Sequence, residues 1–200
     1  IARSRDSVSN WGVYHSSLTA TDIIYLNLTN ASGASSTQWN DTEPTSSVFS
    51  LGSGGQNKSG EDHIAYCWSQ VSGYSSFGSY TGNGSTSGPT VTTGFKPAWL
   101  MVKRSDGGSE TWPIHDNTRS VVNPTEAEVW ANLSNAEQTS GTPVDLLSNG
   151  FQVKNTAGQW NTSGATYIYM AFADTRDAAF WLDSSGNNQD WQPVNLDHND

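Results

Sequence analysis

Three glycines near the middle of the chain lie close together, as glycines do in phosphate-binding loops. They lie in the stretch GSYTGNGSTSGP, at Gly82, Gly84 and Gly88. A phosphate loop needs a strand before it, a helix after it and backbone N–H groups that point at the phosphate. Here a proline and a β-prone segment follow, and no Lys-Ser/Thr pair closes the motif. The stretch instead predicts a tight turn, with positive-φ residues within 81–84, between Tyr80 and the strand after Pro89.

The histidines and carboxylates form no pattern that predicts catalysis or metal binding. The four histidines do not have the spacing of metal ligands, and no nucleophile-elbow motif accompanies them. We expect surface or capping roles for all four, which are His15, His63, His115 and His198. Glycoside hydrolysis needs two carboxylates across a cleft. The nearest approaches are two acidic pairs that we interpret as solvated edges, Glu61 with Asp62 and Glu126 with Glu128. We therefore predict a protein that is not an enzyme, with no catalytic residue, no cofactor and no metal.

Two tryptophans in polar settings are the candidate carbohydrate contacts. Trp39 lies in STQWNDT and Trp160 in GQWNTS. An indole among polar neighbours can stack on the apolar face of a sugar, and it can equally pack beneath a loop. Both interpretations stay open at this point.

Composition narrows the class of partner. The net charge is −10, with only nine basic residues, so nucleic acid is not an expected partner. No apolar stretch has the roughly 20 residues of a membrane span, so membrane insertion is not expected. Cys67 is the one cysteine, which excludes an intrachain disulfide. Its apolar context, HIAYCW, predicts a small buried side chain.

An internal repeat organises the chain at a shift of roughly 100 residues. We predict a first β-repeat at 1–76, a second at 77–176 and a connector at 177–200. The connector's turn at 183–187 fails the calcium-loop spacing. The first repeat lacks a counterpart of 95–102, a strand that we expect from outside this sequence or from a neighbouring subunit. The aligned segments, in order, are 3–6 with 103–106, 11–13 with 112–114, 27–31 with 132–136, 48–51 with 150–153, 55–60 with 158–164 and 64–68 with 168–172.

Each repeat has the signals of short strands. WLMVKR and TWPIHD flank the turn SDGGSE and predict a hairpin. ATYIYMAFAD and HIAYCWSQV are apolar at nearly every position, as strands covered on both faces are. The segment 126–138 has weak helical spacing, and we favour a strand followed by a turn. The fold prediction is all-β, with β-sandwich or jelly-roll-like modules in tandem.

Several stretches, among them GSYTGNGSTSGP, GFKPAW and YIYMAFA, resemble a module that recurs in tail-fibre and other virion structural proteins of marine and environmental bacteriophages. The closing DSSGNNQDWQPVNLDHND is similar to connectors that precede concanavalin-A-like or SPRY-like domains. The resemblance covers nearly the whole chain. It implies a non-enzymatic, β-rich piece of a phage fibre or spike in a homo-oligomer, and it supplies no catalytic residues.

From the sequence we expect a virion structural protein, in a tail fibre or related appendage, that contributes to adsorption on a bacterial surface. Its expected partners are copies of itself, other virion proteins and bacterial surface glycans, and its expected location is the extracellular particle. A lectin-like carbohydrate-binding module is the alternative. A polysaccharide depolymerase is a further one.

Overall fold

The computed structural model describes residues 1–174, so the predicted connector at 177–200 lies outside the described residues. The fold is all-β, as predicted, with a single short helix in the described part of the chain. The elements are β1 Ala2–Ser4, β2 Gly12–Val13, β3 Asp22–Tyr25, β4 Gly33–Ala34, β5 His63–Ala65, β6 Ser75–Thr81, β7 Thr90–Thr92, β8 Pro97–Arg104, β9 Pro113–Asp116, β10 Val129–Trp130, β11 Val144–Leu147, β12 Gly150–Val153, α1 Gly158–Asn161 and β13 Thr166–Ala173.

The strands form three sheets, which we call first, central and third. The first sheet has the order β4-β3-β2-β1-β5 and belongs to residues 1–74, the first half of the described chain. The central sheet has the order β10-β9-β8-β13-β6, and the third has the order β11-β12-β7. Both belong to residues 75–174, the second half. All neighbouring strands are antiparallel.

The central sheet is covered on both faces, which explains the continuous apolar run of β13. Successive side chains of a strand point to opposite faces. Tyr167 and Tyr169 of β13 pack with the third sheet, in a core that also holds Phe151 and Trp160. Ile168 and Met170 pack instead with the first sheet. β13 therefore lies between two sheets and also between two neighbouring strands, as its sequence predicts.

The far face of the first sheet has a smaller core. Ala2, Ala20, Ile23 and Trp39 are buried there, and Leu51 packs against them. The segments that cover this face between β4 and β5 are irregular. The first half therefore has one regular sheet, whereas the second half has two.

The predicted hairpin and the predicted strand at 126–138 are both present. β8 and β9 are antiparallel neighbours, and Met101 pairs with Ile114. The intervening turn contains Gly108, whose φ of 70° lies in the left-handed region that favours glycine. β10 lies at the start of 126–138 and pairs with β9. Strand and turn chemistry therefore outweighs the weak helical spacing.

The stretch GSYTGNGSTSGP is a crossing between sheets and not a hairpin turn. β6 ends in the central sheet and β7 belongs to the third sheet. Gly84 has a φ of 68°, as predicted for this stretch. Gly82 and Gly88 serve a different purpose, since a Cβ at these positions would lie 2.2 Å from the Thr162 carbonyl oxygen and 2.4 Å from the Val153 carbonyl oxygen. They allow close approach of two backbone segments.

The prediction for HIAYCWSQV was wrong in its extent. β5 contains only its first three residues, and it is the last strand of its sheet. The residues that follow are exposed, Cys67 among them. The buried interpretation of this cysteine fails because one edge of the strand has no neighbour in the described chain.

Residues that the predicted repeat aligns make similar contacts in the two halves. Arg3 of β1 pairs with Ile64 of β5, and the aligned Lys103 of β8 pairs with Ile168 of β13. The same register extends one residue on either side of each pair. β1 and β5 therefore occupy positions in the first sheet equivalent to those of β8 and β13 in the central sheet.

Side-chain contacts repeat in the same way. The Oδ1 atom of Asn27 accepts a hydrogen bond of 2.8 Å from the backbone N–H of Trp11. The Oδ1 atom of Asn132 accepts one of 2.9 Å from the backbone N–H of Trp112. In each half an asparagine thus fixes the strand that carries a tryptophan.

Candidate functional site

The two tryptophans predicted to contact carbohydrate are both buried. Trp39 is 3% exposed and packs edge-on against Tyr14, with ring centroids 6.2 Å apart. Trp160 is 0% exposed and lies in α1. Stacking on a sugar needs an open ring face, and neither indole has one. Packing beneath loops, the other interpretation of these residues, describes their placement.

An apolar groove of about 680 Å³ lies beside β5. We call it the aromatic groove. One wall is the chain that continues from β5, with Tyr66 and Trp68. The opposite wall is the face of the central sheet, with Phe77 and Met170. Such a groove offers apolar contact area and few polar groups, which suits binding more than catalysis.

A row of aromatic side chains begins in the lining of the groove, at Trp68 and Tyr66, and continues to Trp11. The rings of Tyr66 and Trp68 stack at 24°, with centroids 6.2 Å apart, and each residue is 48% exposed. The ring of Trp11 lies 6.1 Å from that of Tyr66. On the other side, the guanidinium carbon of Arg3 lies 4.9 Å from the Trp11 ring centroid. The row therefore offers ring faces that a partner can cover.

The segment 42–50 lines the groove on a third side and is held by one glutamate. Glu43 accepts a hydrogen bond from the Tyr14 hydroxyl and another, of 2.7 Å, from the backbone N–H of Ala20. Burial, together with the bond to the Glu43 carboxylate, raises the pKa of Tyr14 to about 12. Beyond this anchor the segment is irregular, and Val48 is 61% exposed.

A buried polar cluster lies in the second half, between the central sheet and α1. The Oε2 atom of Glu128 accepts hydrogen bonds from Trp160 Nε1 at 2.7 Å and from Thr142 Oγ1 at 2.8 Å. His115 Nε2 lies 3.3 Å from the same oxygen, and His115 Nδ1 lies 3.1 Å from Thr125 Oγ1. Glu128 and His115 are both fully buried. No substrate can reach the cluster without opening the core, so its role is structural.

Hydrogen bonding decides the ionisation of the Glu128 carboxyl. Burial alone would raise its pKa, because the charged form loses water. The bonds from His115, Trp160 and Thr142 outweigh that effect and hold the pKa below its ordinary value. The carboxylate therefore stays charged in the core and organises the donors around it.

A buried lysine joins the two halves. The Nζ atom of Lys103 donates to the carbonyl oxygens of Thr29, at 2.7 Å, and Glu110, at 2.5 Å. Burial lowers the pKa of this amine to about 8, although the Glu110 charge acts in the opposite direction. Nearby, the Trp112 indole N–H donates to the Tyr25 carbonyl at 3.0 Å. Hydrogen bonds cross the inter-half interface in both directions, since the backbone N–H of Ser32 donates to the Ser105 carbonyl at 3.0 Å.

The expected positions of two titratable residues were wrong, because the sequence did not reveal the polar cluster. Glu128 was expected at a solvated edge, and His115 was expected in a surface or capping role. His15 is also buried, with Nε2 3.0 Å from the Tyr169 carbonyl oxygen. His63 accepts the backbone N–H of Lys58 at 3.2 Å, a local capping contact. His198 lies outside the described residues.

Alternation is a signal for His115 only, since Pro113, two positions earlier in β9, is also buried. Glu128 is flanked directly by Ala127 and Val129, so alternation would place it on the face opposite to these apolar residues. Their mutual contact depends on strands that pair across a turn, which spacing alone does not give. Within residues 1–174, no group of three or more His, Cys, Asp or Glu side chains is placed to hold a metal ion. In the same range, no helix has the length and apolarity to cross a membrane.

A family model described as "Domain of unknown function (DUF7483)" matches residues 1–176. No curated protein and no solved structure matches the chain.

Proposed function

The chain belongs to the DUF7483 family, and we propose that it is a structural β-module of a bacteriophage virion, in a tail fibre or related appendage. It contributes to adsorption on the bacterial surface, and it assembles with copies of itself and with other virion proteins. It acts by binding and not by catalysis. The two halves are copies of one module, the second at 77–176.

The repeated contact pattern is the observation that carries this proposal. Beyond the asparagine contacts described above, the backbone N–H of Leu26 donates to the Trp11 carbonyl at 3.0 Å. The backbone N–H of Ala131 donates to the Trp112 carbonyl at the same distance. Proteins built from stacked repeats make most of their contacts with neighbouring repeats, which produces elongated assemblies. A fibre is one such assembly.

The chemistry of the site supports a binding role for the module. The polar cluster around Glu128 is sealed, whereas the aromatic groove is open and apolar. The net charge of −10 keeps an assembly soluble and disfavours contact with polyanions. The resemblance to phage fibre modules supplies the biological setting.

Microscopy of virions tests the proposal. An antibody raised against this chain, coupled to gold, is applied to purified particles of the phage that encodes it, followed by negative staining. We expect gold along the fibres or at another appendage of the particle. Gold on host debris only, or no gold on intact particles while the antibody detects the free protein, would reject the virion assignment.

A lectin-like module is the second candidate, because the aromatic row has exposed rings, whereas Trp39 and Trp160 are buried. Tyr66 and Trp68 are each 48% exposed and have nearly parallel rings, and exposed aromatic rings are surfaces on which sugars can stack. In that case the aromatic groove holds a bacterial surface glycan.

A glycan array tests the lectin candidate. If the module is a lectin, Trp68→Ala abolishes binding to its glycan, while Val122→Ala, an exposed change outside the groove, leaves binding intact. Binding that survives Trp68→Ala together with Tyr66→Ala removes the aromatic row from the role. If no glycan binds the unaltered chain, the lectin candidate itself fails.

A further inference from the structure

Within residues 1–174, the outer edge of β5 is open, whereas the equivalent edge in the second half is covered. β5 pairs with β1 and is the last strand of the first sheet. β13, which occupies the equivalent position, pairs with β8 on one side and with β6 on the other. The β6 ladder runs over seven residue pairs, from Thr166↔Thr81 to Phe172↔Ser75. An open edge presents unpaired N–H and C=O groups and acts as a template for another strand.

The direction of the backbone groups beside β5 is fixed by one hydrogen bond. The N–H of Tyr66 donates to the carbonyl of Ile1 at 2.8 Å, toward β1. Because successive N–H groups of a strand alternate in direction, those of Ala65 and Cys67 point to the open edge. Tyr66, Cys67 and Trp68 are all exposed. They align with Met170, Ala171 and Phe172, which β6 covers.

Residues 48–51 of the first half also have no partner strand, unlike the residues of the second half with which they align. β12, residues 150–153, pairs with β7 in the third sheet. The aligned residues 48–51 form no strand, and Val48 and Phe49 lie on the surface. Both uncovered places border the aromatic groove. In the described part of the chain, the first half thus lacks partners equivalent to β6 and β7, two strands that are consecutive in the sequence.

From this comparison we infer that the open edge of β5 and the aromatic groove bind an extended segment of the β6-loop-β7 type, supplied by an adjoining β-module. The first strand of the segment runs antiparallel to β5 along residues 62–68. The second runs beside residues 48–51. The inference deepens the proposed function, on which it rests, by naming the partner through which modules join.

The side chains around β6 define the chemistry of the partner strand. Phe77 pairs with Met170 and packs edge-on against Phe172, with ring centroids 5.9 Å apart. The equivalent residues in the first half are Tyr66 and Trp68. An aromatic residue at the Phe77 position of an incoming strand would therefore lie against these two rings. Cross-strand aromatic contacts of this kind stabilise paired strands.

The inferred joint continues one that already exists within the chain. β6 follows β5 after only the segment 66–74, so the first half leads directly into the strand that covers the second half. The contact between the Ala173 N–H and the Tyr74 carbonyl, at 2.8 Å, closes this joint.

Hydrogen exchange with a peptide tests the inference. The probe is a synthetic peptide of residues 74–93, added to the full 200-residue chain. We expect the peptide to slow exchange at the Ala65 and Cys67 amides by about tenfold or more, as new strand pairing does. The Tyr66 amide, which already donates to Ile1, should change little. A scrambled peptide and a peptide with Phe77→Asp should give no protection.

Matched variants of the chain complete the test. Trp68→Ser should weaken peptide binding by about tenfold, since it removes an exposed aromatic contact. Val122→Ser, an exposed change in the second half, should leave binding unaltered. The inference fails if saturating peptide leaves Ala65 and Cys67 unprotected, or if it instead disturbs the β6 and β13 amides. Such a failure would leave the virion-labelling result untouched, so the two proposals fail separately.

Discussion

The indole Nε1 of Trp160 donates a hydrogen bond of 2.7 Å to Oε2 of Glu128, and both side chains are fully buried. The sequence positions are far apart, on α1 and just before β10. This contact turns a tryptophan that looked suited to sugar binding into a donor within the core. It also means that the Glu128 carboxylate stabilises the core, an effect that unfolding experiments can measure.

Replacing Glu128 with alanine should lower the free energy of unfolding by about 3–5 kcal/mol, because it leaves the Trp160 indole N–H and the Thr142 hydroxyl buried without their acceptor. Glu128→Gln keeps an acceptor oxygen and should cost less. Chemical denaturation measures both. Glu126→Ala, at an exposed neighbour, is the control and should change stability by less than about 0.5 kcal/mol. Equal losses at the two positions would contradict the buried cluster.

Asn27→Ala and Asn132→Ala should each lower the free energy of unfolding by about 1 kcal/mol, since each removes the acceptor of one tryptophan backbone N–H. The double variant should lose the sum, because the two contacts share no residue. Thermal or denaturant unfolding gives all three values. A loss at one asparagine with none at the other would show that the two contacts are not equivalent.

The stability of the chain should rise with pH above pH 8 through Lys103. Its folded pKa of about 8 lies below the ordinary value of 10.5, so unfolding takes up a proton between these values. The free energy of unfolding then increases with pH in this window, by at most about 1.4 kcal/mol per pH unit. Lys103→Met removes this dependence. The difference in unfolding free energy between the two proteins, measured from pH 8 to 10, should therefore change in favour of the unaltered chain. A constant difference would contradict the lowered pKa.

Gly82→Ala should destabilise the protein by about 1–3 kcal/mol, because the added Cβ would lie 2.2 Å from the Thr162 carbonyl oxygen. Gly55→Ala is the matched control, since a Cβ there meets nothing within 4 Å. That change should be neutral or slightly stabilising, through the unfolded chain. Melting temperatures of the two variants provide the comparison. Similar melting temperatures would rule out close packing at Gly82.

The features that sequence predicted well are those with a local physical cause. The unbroken apolar run of β13 reflects burial on both faces, and the glycine turn before β9 reflects a left-handed backbone. Periodicity and turn chemistry record such causes directly. The all-β fold follows from them.

What the sequence did not predict depends on contacts between distant segments. The apolar run at Cys67 is as continuous as that of β13, but periodicity does not show whether a neighbouring strand is present. Trp160 has polar neighbours in sequence, and only the approach of Glu128 from another strand explains its burial. The crossing between sheets at Gly82 was likewise invisible, because a short loop fits a hairpin equally well.

The contact between Ala173 and Tyr74 places the entry and the exit of the second half side by side. β6 and β13 leave this point as antiparallel neighbours. Tension applied to the chain at these two ends would therefore load the hydrogen bonds one after another, beginning with the bond from the Ala173 N–H to the Tyr74 carbonyl. The second half would unzip at low force instead of resisting shear along the whole ladder. Under mechanical load it would behave as a compliant link rather than a rigid one.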